Sequence, residues 1–76
     1  MIRTQKWLFI TFYTTAGAMK FEKACKSAGC PGKLVPVPRS LTSDCGIAWR
    51  AELADRPLLT PLLEDHQIAG IYEAEQ

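Results

Sequence analysis

The chain has 76 residues with nine Lys and Arg against eight Asp and Glu, a net charge of +1. That length suits a single domain over residues 1–76 with a modest core, which argues against an elaborate enzyme site. The basic residues are spread from Arg3 to Arg56 and not gathered, which excludes an electrostatic nucleic-acid stripe and a polybasic membrane anchor.

Lys6 to Tyr13 reads as the first strand: Trp7, Phe9, Ile10, Phe12 and Tyr13 favour extended backbone, and no Gly or Pro interrupts them. The run from Trp7 to Phe12 is too short for a signal-peptide core or a bilayer span, so a soluble, cytoplasmic protein is expected. Thr14 and Thr15 then offer a hydroxyl cap to a helix. Ala18, Phe21, Ala24, Cys25 and Ala28 recur along it at helical spacing, and Gly29 stops it.

Lys33 to Pro38 reads as a second strand. Pro36 and Pro38 confine it to a sheet edge, because neither has an N–H to give to a ladder. After the loop Arg39 to Asp44, Cys45 to Glu52 forms a third strand, in which Cys45, Ile47, Trp49 and Ala51 share one side and Gly46, Ala48, Arg50 and Glu52 the other. Asp55 is a plausible cap for a second helix carrying Leu58, Leu59, Leu62 and Leu63, with Pro61 obscuring where it starts. Ile68 to Ala74 closes the chain as a fourth strand.

The order βαββαβ is that of an α+β, ferredoxin-like domain, a four-stranded antiparallel sheet with two helices on one face. This topology brings the start of strand three to the end of the sheet where strand one finishes and helix one begins. Cys45 is therefore expected near Thr14, Thr15 and the free amides of Ala16 and Gly17. Trp7, Phe9, Ile47 and Trp49 are expected on the uncovered face, a patch suited to a homodimer or a docking partner.

Cys45 is the residue on which chemistry is expected. Arg39 and the helix amides would lower its pKa toward the thiolate, Gly46 would allow close approach to the sulfur, and Ser43 and Asp44 would organise the turn; the Asp44 carboxylate opposes ionisation. The competing reading is a small buried hydrophobe at the head of a strand. Cys25, Cys30, Cys45 and His66 do not have zinc-ligand spacing, and Cys25 falls on the apolar helix stripe, so neither a metal nor another cofactor is expected. His66 reads as a side chain favourable to the end of the second helix.

Pro36-x-Pro38-Arg39, followed by Ser43-Asp44-Cys45-Gly46-Ile47-Ala48, resembles the hallmark of a small bacterial family, the selenium/sulfur carrier protein-like proteins. The likeness runs from the first strand through Ala28-Gly29 to Gly70-Ile71-Tyr72. It implies that Cys45 is a carrier thiol, holding sulfur or selenium as a persulfide or selenosulfide between a cysteine-desulfurase-like donor and an acceptor protein. The family often has an alanine-proline pair after the helix glycine, whereas this chain has Cys30-Pro31-Gly32, which raises Cys30 as a resolving thiol for Cys45 if the sheet does not separate them. The alternative, from another class, is a non-enzymatic interaction module whose cysteine is structural.

Overall fold

The computed structural model describes residues 4–37, 46–65 and 68–75. Strand β1 (Lys6–Phe12) leads into helix α1 (Thr15–Ala28); β2 (Lys33–Pro36) and β3 (Ile47–Glu52) follow, then helix α2 (Arg56–Asp65) and β4 (Ile68–Glu75). The four strands form one sheet in the order β2-β3-β1-β4, antiparallel at every pairing. This is the α+β ferredoxin-like arrangement that the order of elements predicts. Among the described residues no helix is long and apolar enough to cross a membrane.

Local chemistry accounts for the ends of α1. Thr14 stands in extended backbone and its Oγ1 accepts from the Gly17 N–H at 3.0 Å, a side-chain cap on one of the helix's orphan amides. At the other end Gly29 takes the left-handed conformation, φ 75°. The Cys30 N–H donates to the Cys25 carbonyl at 2.9 Å and the Gly29 N–H to that of Lys26 at 3.3 Å, the paired bonds of a Schellman motif.

Helix α2 starts directly after a 3₁₀ turn over Leu53–Asp55, so Asp55 belongs to that turn. Pro61 lies inside α2 and does not mark its start. The Thr60 hydroxyl donates to the Arg56 carbonyl at 3.0 Å one turn back, in the stretch where proline removes a backbone donor.

The core lies between the sheet and the two helices. Leu8, Ile10, Phe12, Trp49 and Ala51 from the sheet meet Ala18, Phe21 and Cys25 of α1 and Leu59 of α2. The Phe21 ring meets the edge of Trp49 with centroids 5.7 Å apart and lies 5.3 Å from Phe12. The indole N–H of Trp49 donates to the Pro31 carbonyl at 3.2 Å, which satisfies the one polar atom of that buried ring.

The expected apolar patch is divided between two faces. Ile10 pairs with Trp49 and Phe9 with Arg50, and side chains alternate along each strand, so Trp49 and Ile47 lie under the helices while Trp7 and Phe9 lie on the opposite face. Trp49 is only 1% exposed, and Ile47 packs against the core. Phe9 is fully buried on its own face, where the register sets it between Arg50 of β3 and Tyr72 of β4. The Arg50 guanidinium stands 4.4 Å from the centre of the Trp7 ring, and the Tyr72 ring lies over Gly70. The four residues therefore do not make one surface: the period-two alternation sends them to both sides, and long side chains flank what faces away from the helices.

Candidate functional site

Of the residues singled out in the sequence, Arg39, Ser43, Asp44, Cys45 and His66 lie outside the described residues. Gly46, Thr14 and Thr15 are described. The start of β3 lies at the sheet end where β1 finishes, since Thr11 pairs with Ala48. Thr15 opens α1 three residues beyond the last residue of β1. Gly46, Thr14 and Thr15 thus belong to the same end of the sheet, as the topology requires.

Gly46 has φ 77°, a left-handed backbone that a residue with a Cβ adopts only under strain. Its carbonyl accepts from the Val37 N–H at 3.1 Å, one step beyond the Pro36·Ile47 pair. That bond extends the β2–β3 ladder by one step. Strand β3 begins at Ile47, because the backbone at Gly46 is turned out of the extended region; the expected start at Cys45 lies outside the described residues.

The start of α1 has one amide fewer to offer than the sequence suggests. The Gly17 N–H is bound to Thr14 Oγ1, and the Ala18 N–H donates to the Thr14 carbonyl at 3.1 Å. Among the described residues no acceptor meets the amides of Thr15 and Ala16. The first turn has no acidic side chain of its own, and an anion beside the positive end of a helix dipole is stabilised by roughly 0.3–1 kcal/mol at an exposed site.

The other two thiols belong to the opposite end. Cys25 is fully buried on the apolar stripe of α1. Burial foremost, then the charge on Cys30 and a hydrogen bond with its side chain, push the Cys25 thiol up to about 12. Cys30, partly buried, donates from Sγ to the Leu58 carbonyl at 3.5 Å. It precedes β2, whose first residue Lys33 pairs with Arg50 in the later half of β3, and fourteen residues of α1 separate it from Thr14. At 1.5 Å rise per residue that is about 21 Å. Cys30 and Gly46 therefore occupy opposite ends of the sheet, a placement that counts against Cys30 as the resolving thiol for Cys45.

The Cys25–Cys30 contact is a feature that hydrophobic periodicity hides. The signal for it in the sequence is Cys-x4-Cys straddling a helix-stop glycine, the spacing at which a Schellman motif sets two side chains against each other.

No curated protein and no solved structure matches the chain. The family model described as "Putative Se/S carrier protein-like" matches residues 7–73, from the Trp7 that stacks with Arg50 to the Glu73 of β4. By that match, which takes in both helices, β2, β3 and most of β1 and β4, the chain belongs to the Se/S carrier protein-like family.

Proposed function

We propose that this protein carries sulfur or selenium on Cys45, as a persulfide or selenosulfide, between a donor of the cysteine desulfurase kind and an acceptor protein in the cytoplasm. The observation that carries this reading is the family match over residues 7–73. Two features of the fold support it: β3 begins at the end of the sheet where α1 starts, and the first turn of that helix holds no acidic side chain of its own; Gly46 turns the backbone just before β3. Cys25, buried and held protonated, is a poor competitor for the role, since the thiolate is the nucleophile.

The chemistry is redox-neutral exchange. The Cys45 thiolate attacks the outer sulfur of the donor's persulfide; the new S–S bond forms as the old one breaks, and the donor cysteine leaves as a thiolate. An acceptor nucleophile then takes the outer atom in the same manner, and Cys45 leaves as the thiolate. A carrier of this kind needs a docking surface more than a deep pocket.

The test is intact-mass and peptide spectrometry after incubation with a cysteine desulfurase and cysteine, without reductant. The expected product is one added sulfur on the peptide containing Cys45, absent from Cys45→Ser. No added sulfur on Cys45 would overturn the carrier reading and favour the interaction module with a structural cysteine. Alkylation rates followed against pH, with Cys25 and Cys30 replaced, should place the Cys45 pKa below the roughly 8.5 of a free thiol.

A further inference from the structure

We infer that Cys25 and Cys30 form a second, separate thiol site: a dithiol at the C-terminal cap of α1 that closes to an intramolecular disulfide on exposure to low-molecular-weight disulfides of the glutathione type. The inference does not rest on the carrier reading, and its site lies at the other end of the sheet.

The geometry follows from the cap. In a Schellman motif the residue that donates the outer bond and the one that accepts it are set side chain to side chain, an arrangement usually filled by two apolar residues. Here the donor is Cys30 and the acceptor Cys25, joined by a backbone bond of 2.9 Å. Gly29 makes the reversal, with φ 75° and open space around its Cα. Both thiols are free; Cys25 belongs to the core cluster, and Cys30 packs against it. Disulfides need Cα atoms roughly 4.4–6.8 Å apart, a separation that a bond between adjoining backbones favours.

The two thiols have different parts. Cys30 is partly accessible and Cys25 is not, so Cys30 meets the reagent first. Its thiolate attacks one sulfur of the small disulfide, giving a mixed disulfide on Cys30 and releasing one small thiolate. Cys25 Sγ then attacks the Cys30 sulfur, forming the Cys25–Cys30 bond and releasing the second small thiolate. Two electrons pass from the protein to the reagent, and the two thiol protons end on the two released molecules. The intermediate helps the second step: once Cys30 is capped, the neighbouring charge and hydrogen bond that help keep Cys25 protonated are gone, leaving burial alone. Closure also withdraws the Sγ donor from the Leu58 carbonyl of α2.

Peptide mapping of the whole chain tests this. After treatment with oxidised glutathione and blocking of remaining thiols, trypsin cuts after Lys23, Lys26 and Lys33, so the disulfide would join Ala24–Lys26 to Ser27–Lys33 in a species two hydrogens lighter than the separate peptides. The joined peptides are expected in the wild type and equally in Cys45→Ser, where two glutathiones should be released per disulfide. Cys25→Ala should stop at the glutathione adduct on Cys30. Cys30→Ser, at a less buried position, should leave Cys25 unmodified, which keeps the test decisive if Cys25→Ala does not fold. A wild-type protein that retains the Cys30 adduct, or that joins Cys30 to Cys45 or to a second chain, would overturn the inference.

Discussion

A thiol at the position of Cys25 loses water on every side, and the anion cannot recover that solvation from the apolar side chains of the core. Its pKa of about 12, against an ordinary 9.0, therefore links folding to alkaline pH. The folded state favours the protonated form, so the unfolded chain gives up the proton first as pH rises. This contribution to stability is complete below pH 9.0 and is lost progressively as pH climbs toward about 12. Urea midpoints measured across that window should fall in the wild type, with a smaller fall in Cys25→Ala. An equal slope in the two proteins would mean that Cys25 ionises in the fold as easily as it does outside it.

At the scale of the element, α1 has signals at both ends that local chemistry dictates: a threonine whose hydroxyl takes the Gly17 amide, and a glycine in the left-handed region. Thr14→Ala removes the side-chain acceptor that the Gly17 amide uses and should cost about 1 kcal/mol, a fall in Tm of roughly 4–8 °C for a domain of this size. Thr14→Ser keeps the acceptor and should lose far less, by thermal denaturation of the three proteins side by side. These ends were readable from Thr14 and Gly29 alone, because caps depend on neighbours within a few residues. The beginning of β3 was not: Cys45 and Ile47 share a strand period, but the left-handed Gly46 interrupts it, and nothing in the alternation of side chains announces a backbone turn. Asp55 directly precedes α2, as the expected helix entry has it, and also ends the 3₁₀ turn that runs into that helix.

At the scale of the whole molecule the sheet decides which aromatic residues hold the core and which stay near water. Trp49 lies between Phe21 of α1 and Ile10 of β1, with its N–H on the Pro31 carbonyl. Trp49→Ala should therefore destabilise the fold by about 3–5 kcal/mol, seen in urea unfolding to the same extent at low and high protein concentration. A loss that appeared only at high concentration would instead assign Trp49 to an interface between chains. Trp7→Ala removes a ring on the face away from the helices, where Arg50 covers it. It should cost less, because Trp7 is only partly buried.

The sequence by itself determined the order and type of the elements, both ends of α1, the edge position of the proline-bearing strand and the family. Each of these depends on spacing along the chain or on residues close together in it. Only the tertiary structure decided the phase of the sheet. A strand such as Trp7 to Phe12 is apolar on both sides, so periodicity alone does not say which side meets the helices until the pairing Ile10·Trp49 and the burial of Phe21 fix it. Tertiary structure likewise turned Cys25 and Cys30 from two unrelated thiols into neighbours. A helix cap brings together residues five apart, and an apolar stripe read at three and four does not look there.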